Sequence, residues 1–224
     1  MTAPLPPSAP PAVQPKSTNI VWQEGNIRRI SRELRNNHRG VIIWTTGLSG
    51  AGKSTIAIHL EQTLFRQGKQ VFRLDGDNVR FGLNSDLGFS PDDRDENIRR
   101  VGEVAKLLVD AGMIVITSFI SPYRHERDRV RNSVQRKGDF IEVYVKCSLD
   151  ECERRDTKGL YAKARAGKIK DFTGVSAPYE EPLTPEIILD TEHETVEACA
   201  AKVIDYLQAN GYFDIDERGI SLAE

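Results

Sequence analysis

Gly47-Leu-Ser-Gly-Ala-Gly-Lys53-Ser54-Thr55 is a glycine-rich segment that follows the strand-like apolar run Val41-Ile-Ile-Trp44. The segment matches the pattern G-x-x-x-x-G-K-[ST] at every fixed position. Glycines at these positions let the backbone turn sharply, so that its N–H groups approach phosphate oxygens. A helix that begins at the end of such a segment directs its positive terminus at the same anion. The sequence therefore predicts a phosphate-binding loop between a strand and a helix.

The side chains of this loop predict the binding of a nucleoside triphosphate. Lys53 would carry a positive charge to the β- and γ-phosphates, and the Ser54 hydroxyl would ligate Mg²⁺. A glycine-rich turn without a ligand rarely has this full context of strand, loop and helix. We therefore expect the whole loop to contact ATP, that is Gly47, Leu48, Ser49, Gly50, Ala51, Gly52, Lys53, Ser54 and Thr55.

Composition excludes several classes of partner. Lys and Arg total 31 and Asp and Glu total 33, so no overall field favours nucleic acid or a membrane surface. The apolar runs are too short for a membrane span, and no signal segment is recognisable. Cys147, Cys152 and Cys199 have neither disulfide-framework nor zinc-site spacing, which predicts a reducing, cytoplasmic location.

Alternating strand-like and helix-like segments predict one α/β domain over residues 21–213. Strands are predicted at 41–45, 70–74, 113–119, 140–145 and 185–190. Helices are predicted at 23–37, 54–67, 90–110, 123–136, from 148 onward, and from a cap at 191–194 to about 211. With the phosphate loop, this alternation predicts a parallel sheet of the P-loop NTPase type with helices on both faces. The Pro- and Ala-rich residues 1–20 predict a disordered tail, and residues 214–224 a C-terminal tail.

Two carboxylates follow the second predicted strand, in Asp75-Gly-Asp77. Ligands of such sheets lie beyond the carboxyl ends of the strands, so both carboxylates fall beside the phosphate site. Asp77 is the better candidate to orient Mg²⁺ or to take the proton of an acceptor hydroxyl. Asp75 has the plausible alternative of capping the following turn. The third strand ends in Thr117-Ser118 without an acid, which strengthens the case for this pair.

Further segments occur in order along the chain: Asp75-Gly-Asp-Asn-Val-Arg80, Leu87-Gly-Phe89-Ser, Arg94-Asp-Glu-Asn97, Ser118-Phe-Ile-Ser-Pro-Tyr123 and Lys158-Gly-Leu-Tyr-Ala-Lys-Ala-Arg165. Together they resemble the adenylyl-sulfate kinase family, whose members phosphorylate the ribose 3′-hydroxyl of adenosine 5′-phosphosulfate (APS). The resemblance extends from about Trp22 to Phe213. It implies Mg²⁺-dependent transfer from ATP to APS, with both nucleotides as partners, and a homodimer.

The resemblance also implies an acceptor site. Arg80 and Arg94 resemble the arginines that hold the phosphosulfate, and Asn97 resembles a contact to the same group. Phe89 and Phe172 resemble the pair that stacks on the acceptor adenine. The remaining implied substrate contacts are Asp75, Asp77 at the 3′-hydroxyl, Ile120 and Ser121 on the acceptor-facing loop, and Lys158 on a lid.

Residues 154–174 are rich in Lys, Arg and Gly and predict a mobile lid that closes over both nucleotides and excludes water. Arg154 or Arg155 would stack on the donor adenine, and we place Arg154 in the ATP site. The family signature labels Ser121 as a phosphoserine intermediate. Because phosphoryl transfer works by positioning and charge stabilisation, we retain Ser121 as a catalytic residue but expect direct in-line transfer.

Two other functions fit a phosphate loop. A nucleotide-binding regulator without turnover would be expected to lack Lys53 or Asp77, and both are present. A kinase for another small hydroxyl acceptor would be expected to lack the set of Phe89, Arg94 and Asn97, which is intact.

Overall fold

The computed structural model describes residues 17–21, 23 and 25–216, and within them strands and helices alternate as predicted. The strands are β1 (Val41–Thr46), β2 (Val71–Asp75), β3 (Ile114–Ser118), β4 (Phe140–Lys146) and β5 (Ile187–Asp190). The helices are α1 (Arg29–Asn36), α2 (Lys53–Arg66), α3 (Pro91–Asp110), α4 (Arg124–Ser133), α5 (Leu149–Arg155), α6 (Leu160–Arg165) and α7 (Val196–Ala209), with a 3₁₀ turn at Asn78–Phe81.

The strands pair in the order β2-β3-β1-β4-β5, and every pairing is parallel. The chain leaves β1 for one side of the sheet and later returns to its other side, so the connections diverge at the carboxyl end of β1. This is the place where open α/β sheets form their ligand crevice. In the register of the strands, Thr45 pairs with Ser118 and Asp75 pairs with the same residue, which brings the ends of three strands to one edge.

Helices cover both faces of the sheet, as predicted. On one face α2 packs against β2 and β3 and α7 against β5, and buried side chains such as Leu60 and Leu207 belong to the core on this face. On the other face Ile98 and Val101 of α3 pack around Trp44. The indole of Trp44 stacks on the rings of Phe119 and Phe140, with centroids 6.1 and 5.7 Å away. Strands covered on both sides are continuously apolar, which explains the run in β1.

The first helix differs from its prediction. It begins at Arg29 and not at residue 23, and Ile27, which was expected on its apolar stripe, is 64% exposed. The buried residues of α1 are instead Arg29 and Glu33. The Arg29 guanidinium donates to Glu33 at 2.8 Å and to both carboxylate oxygens of Asp139 at 2.6 and 2.7 Å. Charge pairing across the sequence therefore fixes this helix, which an apolar pattern cannot reveal.

The last helix also begins later than predicted. The residues 191–194 do not cap it; Thr195 is the N-cap, and its hydroxyl accepts a hydrogen bond from the N–H of Ala198 at 3.2 Å. A threonine hydroxyl at this position satisfies an N–H that the helix itself leaves free. Helix α4 ends at Ser133, three residues before its predicted end at 136.

The predicted tails are mainly outside the described residues, since 1–16 and 217–224 are not described, and neither is Trp22. Packing continues past the predicted domain boundary at 213, because Ile215 is buried. Within the described part of the chain, no helix is both long and apolar enough to cross a membrane.

Candidate active site

The phosphate loop connects β1 to α2 through backbone conformations that favour glycine. Gly52 has φ +96° and Gly47 has φ +153°. A Cβ on Gly47 would lie 2.4 Å from the carbonyl oxygen of Val145, so no side chain fits there. The loop is therefore pressed against the end of β4, and its shape is set before any ligand binds.

Lys53 is the first residue of α2, and its ammonium group is buried within the loop. Its Nζ donates to the carbonyl oxygens of Gly47 and Leu48 at 2.8 and 2.6 Å. Burial lowers the pKa of Lys53 to about 8, although the Asp75 carboxylate acts in the opposite direction. The two carbonyls hold the charge where an incoming polyphosphate would replace them as its partner.

Oxygen ligands surround the Ser54 hydroxyl at the sheet edge. Ser54 Oγ donates to Asp75 Oδ2 at 2.9 Å and lies 3.1 Å from Ser118 Oγ. Arg73 balances the Asp75 carboxylate with an ion pair at 3.1 Å. Hydroxyl and carboxylate oxygens are the ligands that Mg²⁺ prefers, so this donor set fits the metal that the sequence implies.

Asp75 and Asp77 take different positions. Asp75 Oδ1 accepts the N–H of Asp77 at 3.1 Å, so Asp75 caps the turn as its alternative interpretation predicted, while its other oxygen reaches Ser54. The Asp77 side chain is 68% exposed and forms an ion pair with Lys158. Asp77 therefore projects into the cavity, where an acceptor hydroxyl could reach it, and Lys158 connects it to the lid segment.

Two guanidinium groups, those of Arg80 and Arg94, lie on the acceptor side of the cavity. The Arg80 Nη1 donates to the carbonyls of Leu87 and Gly88 at 3.0 and 2.8 Å, and its guanidinium lies 4.4 Å above the Phe89 ring. Desolvation, and then the charge of Arg94, lower the pKa of Arg80. Neither arginine forms an ion pair within the described residues. Two like charges held close in this way could be balanced by a bound anion.

Three further acceptor-side residues are placed by the core. Asn97 is buried, and its Oδ1 accepts from the Asn84 side chain at 2.9 Å. Ser121 is 2% exposed with φ +40°, and its hydroxyl accepts from Trp44 Nε1 at 3.1 Å. The carbonyl of Ile120 accepts from Thr46 at 2.7 Å. These contacts hold the loop after β3 against the end of β1, and Ser121 acts there as a structural anchor.

The predicted lid segment contains α6 and has its own buried anchors. Tyr161 and Phe172 are 2% and 7% exposed, and their rings meet edge to face at 5.0 Å. The Tyr161 hydroxyl donates to the carbonyl of Ser49 in the phosphate loop at 2.9 Å. Sequence reasoning did not single out Tyr161, although it lies within the quoted segment Lys158–Arg165. The mobility of the lid stays a prediction.

A cavity of about 940 Å³ opens at the carboxyl edge of the sheet, and both the phosphate loop and the predicted acceptor-site residues line it. The predicted site residues that line it are Ser49, Gly50, Gly52, Lys53, Ser54, Thr55, Asp75, Asp77, Arg80, Phe89, Arg94, Asn97, Ile120, Ser121, Lys158 and Phe172. Among the described residues, Gly47, Leu48, Ala51 and Arg154 do not line it.

Arg155, and not Arg154, reaches the cavity. Arg154 is exposed and bonded to Glu151, whereas Arg155 donates to the Thr191 carbonyl at 2.7 Å. Successive side chains of a helix point about 100° apart, so the rotation of α5 about its axis decides which of these two arginines faces the cavity. Thr191 also lines the cavity, and its hydroxyl donates to the Ala51 carbonyl at 2.9 Å. It was missed because it is distant in sequence and belongs to no recognised motif.

A phosphate loop after β1, a strand order of 2-3-1-4-5 and a carboxylate in the same cavity define a nucleotide-binding protein of the P-loop class. The profile of the family described as adenylylsulphate kinase matches residues 39–190. The chain therefore belongs to the adenylylsulphate kinase family. The resemblance carried by the quoted segments is confirmed, and so is the prediction of an enzyme.

Relatives of known name support this assignment. The adenylyl-sulfate kinase of Oceanobacillus iheyensis is 57% identical over 197 residues, which cover 88% of this chain and 98% of that protein. The solved structure of the Mycobacterium tuberculosis APS kinase CysC, in complex with AMPPNP and APS, is 46% identical with a TM-score of 0.72. It covers 76% of this chain and 99% of that chain. A hexameric APS kinase from Thiobacillus denitrificans is 34% identical with a TM-score of 0.61, covering 80% of this chain and 30% of that chain.

Proposed function

We propose that this protein is an adenylyl-sulfate kinase that transfers the γ-phosphate of ATP to the ribose 3′-hydroxyl of APS. The products are ADP and 3′-phosphoadenylyl sulfate. The observation that carries the proposal is that residues of a phosphate loop line the same cavity as Arg80 and Arg94, which form no ion pair among the described residues. Its volume of about 940 Å³ lies near the upper end of the usual range for ligand pockets.

The donor half holds ATP by its phosphates. Backbone N–H groups of the loop and the N-terminus of α2 bind the polyphosphate, and Lys53 exchanges its two carbonyl partners for β- and γ-phosphate oxygens. Arg155, beside Thr191, is better placed than Arg154 to contact the rest of the donor nucleotide.

The acceptor half positions APS for in-line attack. Arg80 and Arg94 bind the phosphosulfate with Asn97, because planar guanidinium groups suit such oxyanions. Phe89 and Phe172 stack on the adenine. Asp77 then accepts the proton of the 3′-hydroxyl as that oxygen attacks the γ-phosphorus. Lys158 lies beside Asp77 and brings the lid over the reacting groups, which excludes water.

Ser54 and Asp75 are the residues that would hold Mg²⁺, with Ser118 adjacent. When bound, the metal would neutralise negative charge that develops on the phosphates during transfer. Ser121 needs no covalent role in this scheme. Its hydroxyl is buried and bonded to Trp44, so it positions the acceptor-facing loop while transfer occurs directly.

The catalytic domain comprises residues 21–213 with the packed residues up to Ile215, and we expect it to act as a homodimer in the cytoplasm. The hexameric relative supports assembly in this family without fixing the number of subunits here. Sedimentation velocity of the purified protein measures that number directly.

The decisive experiment measures ADP release with ATP and Mg²⁺, with and without APS, for the wild type and for Asp77→Asn. We expect release to require APS and kcat to fall about 10²–10⁴-fold in the variant, since a positioned general base contributes that much. Asp205→Asn, at an exposed position on α7, is the matched control and should keep full activity.

Each alternative function has its own result in this assay. ATP binding without ADP release under any condition would indicate a regulator and contradict the proposal. Release that occurs with another hydroxyl acceptor but not with APS would indicate a different kinase.

A further inference from the structure

A cluster of three potential metal ligands lies where α3 packs against α4, apart from the residues already assigned to the active site. Asp95 belongs to α3, and His125 and Glu126 belong to the first turn of α4. One ligand atom from each residue lies within 4.8 Å of those of the other two. His125 Nε2 is 3.9 Å from Asp95 Oδ1. A single ion placed among these atoms could contact all three side chains.

The strongest sign of a ligand is an unsatisfied buried carboxylate. Glu126 is 1% exposed, and its Oε2 has no hydrogen-bond partner among the described residues. Asp95 Oδ1 is likewise buried and without a hydrogen-bond partner in the described part of the chain. Buried carboxylate oxygens are costly unless they are paired or coordinate a metal, so these two oxygens leave a place for a cation.

The surrounding charges leave room for that cation. Arg129 donates to Asp95 Oδ2 at 2.9 Å and to the Asp95 carbonyl at 3.1 Å, which neutralises one carboxylate but leaves Asp95 Oδ1 and Glu126 Oε2 without a hydrogen-bond partner among the described residues. His125 is 69% exposed at its side chain and stacks on Tyr123 with ring centroids 5.7 Å apart. The imidazole therefore lies on the solvent side of the cluster, and an ion could reach the buried carboxylate oxygens from that side.

We propose that Asp95, His125 and Glu126 form a binding site for a divalent transition-metal ion of the zinc type. One imidazole nitrogen and two carboxylate oxygens are a ligand set that suits Zn²⁺, whereas Mg²⁺ and Ca²⁺ favour oxygen ligands alone. Water fills the fourth position of a tetrahedral ion. Bound metal fastens α3 to α4 next to Arg94, which lies on the acceptor side of the cavity. Its role is structural, since none of its three ligands is among the described residues that line the cavity.

The test is a Zn²⁺ titration of the full-length protein against a chromogenic chelator, with thermal unfolding measured in parallel. We expect one equivalent to bind and to raise Tm, since a ligand specific for the folded state stabilises it. His125→Ala removes an exposed ligand without disturbing the core, and Glu126→Gln keeps the shape of the buried one. Each should weaken Zn²⁺ binding by about tenfold or more, a size typical even of outer-shell losses at metal sites.

His193→Ala is the matched control, because His193 is also an exposed histidine beside an aspartate, with Nδ1 3.1 Å from Asp190 Oδ1. It should bind Zn²⁺ as the wild type does. Co²⁺ provides a second readout: its visible spectrum should lack thiolate charge-transfer bands and should weaken in His125→Ala. The proposal is wrong if the wild type binds no stoichiometric Zn²⁺, or if the control loses affinity as the two ligand variants do. Equal affinity of the wild type and both ligand variants would also overturn it.

Discussion

The two halves of the cavity are built in opposite ways. The phosphate-binding part of the donor half comes from one nine-residue loop, and its charged group, Lys53, is buried and held by two carbonyls. The side chains proposed to bind the acceptor are scattered along the chain from Asp77 to Phe172. Several of these side chains extend into solvent: Phe89 is 67% exposed, and the side chain of Lys158 is 61% exposed.

This difference indicates where substrate binding has to create order. A loop fixed by backbone contacts binds phosphates without rearranging, because the donors already point at the anion. Exposed side chains on separate segments become ordered only when the ligand binds, and this ordering costs conformational entropy. We therefore expect substitutions in the donor half to reduce catalysis with any acceptor. Apart from the general base Asp77, substitutions in the acceptor half should act mainly on the KM for APS.

Among substitutions outside the general base Asp77, removing the charge of Lys53 should have the largest effect. In Lys53→Met we expect kcat/KM to fall about 10²–10³-fold, the usual cost of losing one preorganised group that stabilises transition-state charge. Steady-state kinetics with ATP and APS varied separately measures it. Lys163→Met, on the exposed face of α6, controls for the loss of a positive charge. A change confined to the KM for APS would contradict the assignment of Lys53 to the donor half.

Arg94→Ala should affect the acceptor half alone. We expect the KM for APS to rise about 10–100-fold and the KM for ATP to stay constant, because a charged hydrogen bond to the acceptor anion contributes about 1.5–3 kcal/mol. Arg99→Ala removes a guanidinium from the same helix, where it is paired with Glu96, and should change neither constant. An equal rise in both KM values would show that the two halves are not separable.

Phe89→Ala tests the stacking surface. We expect the KM for APS to rise about tenfold, since stacking of one base on an aromatic ring contributes about 1–3 kcal/mol. Phe81→Ala is the matched control, because Phe81 is 90% exposed and is not among the described residues that line the cavity. If Phe81→Ala raised this KM as much as Phe89→Ala, Phe89 would have no specific role.

The pH dependence of ATP binding should be the smallest effect. Because burial lowers the pKa of Lys53 to about 8, the lysine loses its proton above that pH in the free protein, and the bound polyphosphate restores it. We expect ATP affinity to weaken about fourfold from pH 7 to pH 8.5, with net proton uptake on binding. Calorimetry in buffers of different ionisation enthalpy measures this uptake.

The same shift has a definite sign for the stability of the ligand-free protein. The pKa of Lys53 is lower in the folded state than its ordinary value of 10.5, so the unfolded state binds more protons between pH 8 and 10.5. The contribution of Lys53 to the free energy of unfolding therefore rises with pH across that window. The Lys53→Met variant should lose both this contribution and the proton uptake; uptake that persists would assign it to another group.

The sequence was informative wherever the chemistry is local. The strand–loop–helix of the phosphate loop, the helix predicted at 90–110 and the alternation of strands and helices depend on neighbouring residues, and they were predicted correctly. The errors fall where distant residues decide. The apolar spacing around Ile27 predicted a longer first helix, but pairing of Arg29 with Asp139, 110 residues away, decides which face is buried.

The sequence by itself determined the donor chemistry and the family. Glycines, Lys53 and Ser54 act through the backbone of one short loop, so their order already implies their geometry. Only the tertiary structure decided that Arg155 and not Arg154 faces the cavity, that Ser121 is anchored by Trp44, and that Glu126 is buried without a partner among the described residues. Helix rotation and the packing of segments far apart in the chain set these contacts, and no local pattern encodes them.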